Sequence, residues 1–500
     1  MQRLLHMKNL GRRWLRYGLM SIVVLGIVIL GFGRQPALAV TPQHYTDLQL
    51  PSPPEIKLPD YTRFELPNGL KVYLLEDHEL PLIGGTAIVY TGDRLEPADK
   101  VGLAGITGAV MRSGGTTAHS ADALNRRLEQ QAASIETGID TTAGSASFNT
   151  LTEDLEEVFG LFAEVLRQPA FPQDKIDLVK AQIGGSIARR NDNPNEIAQR
   201  EFFKLVYGAN SPYARTVEYS TLSNISRSDV VSFYQQYFHP NNMLLGIVGD
   251  FDQAKMRSLI EAKLGDWQPS STSVKETISL PQVSQAKTSG VFLVDQPQLT
   301  QSTILMGHLG GEIRDPGYAP LTVLDEVMGG FGGRLMNEVR SRQGLAYGVY
   351  ATWSPQFDFP GVYIGGGQTR TETTVPFIQS TLAEIKKVQT TPVTEAELSR
   401  AKDSVLNTFV FRFATPAQTL SRVMRYDYYG YPQDFIFRYQ KQVETTTAAE
   451  VQQAAQTYLK PENIVTLVVG NAKAMNPPLS TLTPNTPVTS IDITIPQPKA

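Results

Sequence analysis

Two stretches 221 residues apart repeat the same succession of signals, and this repeat constrains the fold more than any other feature of the chain. Ser226 and Asp229 open one helical pattern that runs into YFHPNNMLLGIVGD, Tyr237 to Asp250. Thr447 and Glu450 open another that runs into YLKPENIVTLVVGN, Tyr458 to Asn471. Each copy begins with a hydroxyl three residues before a carboxylate, the capping-box pattern that satisfies free amides at a helix start. Each then turns through a proline into an apolar strand ended by Gly249 or Gly470. Asp177 and Leu178 recur as Glu397 and Leu398 at nearly the same offset, in similar helical patterns. Repetition over that distance implies two homologous halves.

The first half is assigned to residues 61–268. Pro67, Asn68 and Gly69 stand between the β-rich runs of RFELPNGLKVYLLED, Arg63 to Asp77, which is a hairpin signal, and Leu82 to Thr91 supplies a third strand. Gly102 to Arg112 reads as a short helix and Ser120 to Ala133 as another, while Leu155, Val158, Phe159, Phe162 and Leu166 fall on one helical face. A linker rich in Ser, Thr, Lys and Gln, 269–289, leads to the second half, 290–472. That half opens with strands over Val291 to Gly311; Tyr318 to Arg340 is then helical around Leu321, Leu324, Val327, Leu335 and Val339, interrupted at Gly329 to Gly333. A Pro/Thr-rich tail, 473–500, is expected to be mobile.

At the other end, Arg3, Lys8, Arg12, Arg13 and Arg16 precede an uncharged run from Tyr17 to Gly33, and Ala37, Leu38 and Ala39 give a small-x-small cleavage pattern. Residues 1–39 therefore read as a signal peptide, with an uncleaved membrane anchor as the alternative, and 40–60 as a proline-rich arm. The expected location is across the cytoplasmic membrane, in a periplasm or equivalent lumen. Taking away the leader removes six of 45 positive charges and none of 49 negative ones, leaving 39 against 49, a net charge of −10. Such a balance argues against a nucleic-acid binder. The chain has no cysteine, so its stability rests on burial rather than disulfides.

Direct motif chemistry is sparse. The histidines, His6, His44, His78, His119, His239 and His308, are scattered, and no two stand at the i, i+4 separation of a helical zinc pair. Each reads as a surface or hydrogen-bonded residue. GGFGGR lacks the lysine and hydroxyl that end a phosphate-binding loop.

Taken in order, PNGLKVYLLED, TGDRLEPADKVGLAGITGAVMRSGGT, FHPNNMLLGIVGDF, DQPQLTQSTILMG and GGFGGRLMNEVRSRQGLAYGVYATW resemble the pitrilysin/insulinase family of zinc endopeptidases, in particular its mitochondrial-processing-peptidase-like branch. The resemblance spans about residues 60–472. It implies an α+β fold of two homologous α/β-sandwich-like halves, each a mixed, mainly antiparallel sheet with helices, forming a clamshell chamber for an extended peptide.

Active members of that family read GLAHxxEH, two histidines holding zinc and a glutamate acting as general base. By the resemblance, those positions here are Gly105, Gly108 and Ala109, and the glutamate that completes the metal set falls near Gly185 or Ser186. None of these can ligate a metal through its side chain as the family does. A glycine inside a helix costs about 1 kcal/mol relative to alanine, so Gly105 and Gly108 are expected to be kept for close packing. The resemblance further assigns a substrate-contacting pair in the second half, Arg340 and Tyr347, whose guanidinium and phenol could hold a scissile carbonyl. Gly329, Gly330, Gly332 and Gly333 stand where the family's non-catalytic subunit has a substrate-recognition loop; a turn requiring positive φ is the other reading.

The expected function is the zinc-less subunit of an extracytoplasmic two-chain metalloendopeptidase, inactive alone. An HxxEH-containing homologous partner would carry the zinc, and peptides or unfolded polypeptide would be the substrate. A peptidase-like scaffold or peptide-binding protein is the alternative.

Overall fold

In the computed structural model, which describes residues 58–271, 280–482 and 487–496, the chain builds two six-stranded sheets that share the connectivity of five strands and differ in the sixth, an edge strand. The leader, almost all of the proline-rich arm and the middle of the linker lie outside the described residues. The first sheet comprises Thr62–Glu65 (β1), Lys71–Glu76 (β2), Leu82–Val89 (β3), Ser134–Ile139 (β4), Gly144–Leu151 (β5) and Met243–Gly249 (β6), in the order β1-β2-β6-β3-β5-β4. The second comprises Gly290–Asp295 (β7), Gln301–Leu309 (β8), Ala346–Ser354 (β9), Val362–Arg370 (β10), Val465–Gly470 (β11) and Thr489–Ser490 (β12), in the order β12-β7-β11-β8-β10-β9. β2 and β6 run parallel, as do β7 and β11; the pairs that follow in each sheet are antiparallel. The expected hairpin forms, with Gly69 at φ 83° in its turn.

Helices of the first half are Leu103–Ser113 (α1), Ala121–Gln130 (α2), Leu155–Arg167 (α3), Gln173–Arg189 (α4), Pro194–Tyr207 (α5), Arg227–Tyr237 (α6) and Gln253–Leu264 (α7). Those of the second half are Tyr318–Gly329 (α8), Thr374–Thr390 (α9), Glu395–Phe409 (α10), Pro416–Tyr429 (α11), Phe435–Thr445 (α12) and Ala448–Tyr458 (α13). The repeat legible in the sequence is structural: Ser226 caps α6 and Thr447 caps α13, both with complete capping boxes. Val158, Phe159, Phe162 and Leu166 of α3 all face the first core.

The halves exchange helices. α5, from the first half, buries Ile197, Ala198 and Phe202 against Leu305, Leu467 and Val469 of the second sheet. α11, from the second half, buries Leu420, Val423 and Met424 against Tyr73, Leu75 and Leu244 of the first. Gly246 on β6 permits this approach, since a Cβ there would lie 2.2 Å from the Met424 sulfur. Each large apolar side chain so buried contributes roughly 1.5–3 kcal/mol, so the exchange couples the halves strongly. Polar ties reinforce it. Arg94 and Asp358, 264 residues apart, form a bidentate pair at 3.0 and 2.7 Å with side chains only 5% and 15% exposed. Tyr428 Oη donates to the Thr142 carbonyl at 2.6 Å, and its ring stacks on Tyr90 at 4.2 Å.

The tail departs from expectation. Its residues Thr489 and Ser490 add to the second sheet as a strand parallel to β7, and the Ile491 amide donates to the Leu293 carbonyl at 2.8 Å. Ile491 and Ile493 pack on the α5 cluster, Ile495 reaches the first core, and Asn191 donates to the Ile493 carbonyl at 2.7 Å. The alternating isoleucines supply an apolar edge that the Pro/Thr composition concealed.

Candidate functional site

α1 starts without a capping side chain of its own, because its N-cap is Gly102 in the left-handed region, φ 106°. Glu96 takes over that role: its carboxylate accepts from the amides of Gly102 at 3.0 Å and Ala104 at 2.9 Å. Burial pushes the Glu96 carboxyl up to about 7, opposed by these two hydrogen bonds. The residue was not singled out in the sequence; the available signal was a helix start with no Ser, Thr, Asp or Asn at its cap.

The positions aligned with the lost metal set behave differently from one another. Gly105 is exposed and a Cβ there would meet nothing within 4 Å. The same holds for Gly185 on α4, the helix that packs beside α1. Gly108 is buried under β4: a Cβ there would lie 2.7 Å from the Ile139 nitrogen and 2.8 Å from the Gly138 carbonyl carbon. Thr137 on the same strand donates to the Gly108 carbonyl at 2.6 Å. The expectation of close packing therefore fails at Gly105 and holds at Gly108, because only the latter faces β4. Zinc does not fit this set. Two positions open to space carry no donor, and the position of the base has no room for a side chain. Among the described residues no group of three or more His, Asp or Glu is placed to hold a metal ion.

The histidines have local roles. His308 is buried, with Nδ1 2.8 Å from the Leu309 carbonyl and Nε2 accepting from the Lys460 amide at 3.0 Å. His78 pairs with Asp250 and His119 with Glu164. His6 and His44 lie outside the described residues.

In the second half, Arg340 lies in a π-helical turn, Met336–Arg342, that follows the glycine-rich break. Such turns concentrate at functional sites because the extra residue re-aims side chains. The Arg340 guanidinium sits over the Tyr347 ring, 5.0 Å from its centroid. Among the described residues Arg340 has no ion-pair or hydrogen-bond partner for its side chain, whereas Arg342 beside it pairs with Glu338. Tyr347, at the start of edge strand β9, is 88% exposed. The structure thus joins the two residues that the sequence placed seven apart.

The glycine-rich segment closes α8 with a tight turn, the Gly333 amide donating to the Gly330 carbonyl at 2.7 Å. Gly332 takes φ +77°; at Gly330 and Gly333 a Cβ would strike backbone carbonyl oxygens of Glu326 and Met328. Gly329 lies against Ala351 of β9. The turn presents Phe331 almost fully to solvent.

Tyr347 also stands at a cavity of about 920 Å³ between α5 and the second sheet. Asn195, Gln199, Gln301 and Gln368 line it, and none of these was singled out in the sequence. Isolated amides on a helix and on strand ends carry no motif.

Two sequence models of one peptidase family match the chain in succession. Residues 86–217 match "Insulinase (Peptidase family M16)" and residues 224–405 match "Peptidase M16 inactive domain", together more than half of the chain. The chain belongs to the M16 family. A Helicobacter pylori relative described as "non-peptidase homolog YmxG" is 23% identical over 406 residues, covering 80% of this chain and 91% of the relative. An "uncharacterized zinc protease" of Rickettsia felis is 24% identical over 347 residues, covering 68% and 80%. Among solved structures, a peptidase M16 inactive domain from Pseudomonas fluorescens superposes with a TM-score of 0.75 at 24% identity, covering 84% of this chain and all of that one. The two-halved α+β architecture is thus that of M16 proteins; the inactive-domain model falls on residues 224–405, and α1 lies in the stretch matched by the insulinase model.

Proposed function

We propose that this chain is the zinc-less subunit of an extracytoplasmic two-chain M16 endopeptidase, contributing substrate contacts while a homologous HxxEH partner carries the metal, its water and the base. The observation that carries the reading is Arg340, a guanidinium with no carboxylate partner among the described residues, held over an exposed tyrosine at a cavity mouth. The ring beneath holds the guanidinium by a cation–π contact, and among the described residues its N–H donors stay available to a ligand. A peptide carbonyl suits it: the guanidinium and the Tyr347 hydroxyl are both donors, and donors aimed at an oxygen that gains negative charge stabilise that charge. Gly329, Gly330, Gly332 and Gly333 would present Phe331 to the same peptide. Residues 1–39 would direct export.

A second reading, an M16 scaffold without catalytic partner, is favoured by the "non-peptidase homolog" description of the H. pylori relative. The two separate in one assay: cleavage of an unstructured peptide by the chain alone, by an HxxEH-bearing relative alone, and by the mixture. Activity that appears or rises tenfold or more only in the mixture, and is lost with Arg340→Ala, supports the subunit reading. A mixture no more active than the relative alone supports the scaffold.

A further inference from the structure

We infer that the cavity beside α5 is a binding subsite for an extended polypeptide segment of neutral or acidic side chains, and that it rejects basic ones. The inference rests on the reading that the Arg340 and Tyr347 face meets a peptide, and adds what kind.

The lining supports both parts. Among the described residues no Asp, Glu, Lys or His contributes to the cavity wall, and its one charged residue is Arg370. Four carboxamides, Asn195 and Gln199 from α5, Gln301 from β8 and Gln368 from β10, converge on it. Gln199 and Gln301 have no side-chain hydrogen-bond partner among the described residues. Gln368 donates to Asn195 at 2.9 Å, leaving the Gln368 carbonyl and the Asn195 amide free for a ligand. A carboxamide offers a donor and an acceptor in one group, which matches the alternating N–H and C=O of a peptide main chain.

The neighbouring strand favours an extended polypeptide over a small polar molecule. β9 forms the edge of the second sheet and lines the cavity with Tyr347, Gly348 and Tyr350. Its pairing with β10 shifts register between Gly367 and Thr369, next to Gln368. A free edge presents main-chain groups to which an extended chain can add, and bulges of this type re-aim side chains near binding sites.

Charge then sets selectivity. A lysine or arginine entering the cavity would meet no carboxylate on its described wall and would be repelled by Arg370, with Arg340 stacked on the Tyr347 ring nearby. Arg370 is itself engaged by Glu372 at 3.2 Å, but both partners are well exposed, so that pair is weak. Amide, aliphatic or acidic side chains meet no such penalty.

The test uses the whole chain and three fluorescein-labelled, unstructured twelve-residue peptides, identical except for four central positions occupied by Gln, Glu or Lys, titrated by anisotropy at low ionic strength. The Gln and Glu peptides should bind at least tenfold more tightly than the Lys peptide. Gln199→Glu, a near-isosteric change at an exposed helix position, should narrow or reverse that ratio by fivefold or more, and Gln301→Glu should act in the same direction. Equal or tighter binding of the Lys peptide, binding of none of the three, or a uniform effect of both variants on all three peptides would overturn the inference. Its failure is separable from that of the subunit reading. A mixture with an HxxEH relative that cleaves the Lys peptide as fast as the Gln peptide sinks this inference alone. Selective binding without cleavage in any mixture sinks the subunit reading alone.

Discussion

Gly105 and Gly108 are three residues apart in one helix, and the structure assigns different outcomes to the same substitution. At Gly105 an alanine methyl enters open space, so Gly105→Ala should gain the helix-propensity difference, about 0.8–1.0 kcal/mol. At Gly108 the same gain is offset by a methyl 2.7 Å from the Ile139 nitrogen and 2.8 Å from the Gly138 carbonyl carbon, both backbone atoms of β4 that cannot rotate away. Overpacking of that type costs typically 1–3 kcal/mol, which leaves Gly108→Ala between neutral and about 2 kcal/mol less stable than the native chain. The separation between the two variants is therefore roughly 1–3 kcal/mol. Urea denaturation of both, with slopes compared to confirm equivalent transitions, measures it directly. Equal midpoints, or Gly108→Ala the more stable, would refute the packing of α1 on β4 and with it the conclusion that the position of the catalytic base has been closed.

Other consequences are measurable. Arg94→Ala should destabilise by about 3–5 kcal/mol because Asp358 is left buried and unpaired, and Arg94→Leu with Asp358→Leu should recover much of that loss; equal effects of the single and double variants would contradict the pairing. Glu96 has a folded pKa near 7, raised above its ordinary 4.5, so its contribution is fully present below about pH 4.5 and is lost as pH rises through 7, by roughly 3 kcal/mol. Glu96→Gln should flatten that part of the profile between pH 5 and 8, and an unchanged pH dependence would count against the burial of this cap. Ending the chain at residue 486 removes β12 and the isoleucines that touch both cores, and should lower the thermal midpoint and speed amide exchange in β7; unchanged exchange there would mean that the tail does not dock.

The sequence disclosed what is local or repeated. The hairpin at Pro67 to Gly69, the capping boxes of α6 and α13 and the apolar face of α3 each depend on neighbours within a few residues. The exchange of α5 and α11 was not legible, because an amphipathic helix shows which face is buried and not which sheet covers it. Gly105 was assigned to close packing from the helix-propensity cost of glycine, which does not tell which side of the helix is covered, and its side is open. Glu96 caps α1 from outside any capping-box spacing, and the cavity amides come from one helix and two strands that no motif connects. The tail was misjudged from composition, since the three alternate isoleucines that follow the short strand Thr489–Ser490 pack on apolar clusters among prolines and threonines.

The central claim is that this M16 chain supplies substrate contacts and no metal chemistry of its own. Its most direct measurement is peptide cleavage by the purified chain with zinc added, alone and mixed with an HxxEH-bearing relative, using native protein and Arg340→Ala. The account predicts no cleavage by the chain alone, tenfold or greater stimulation of the relative by the native chain, and none by the variant. Zinc-dependent cleavage by the purified chain alone would contradict it.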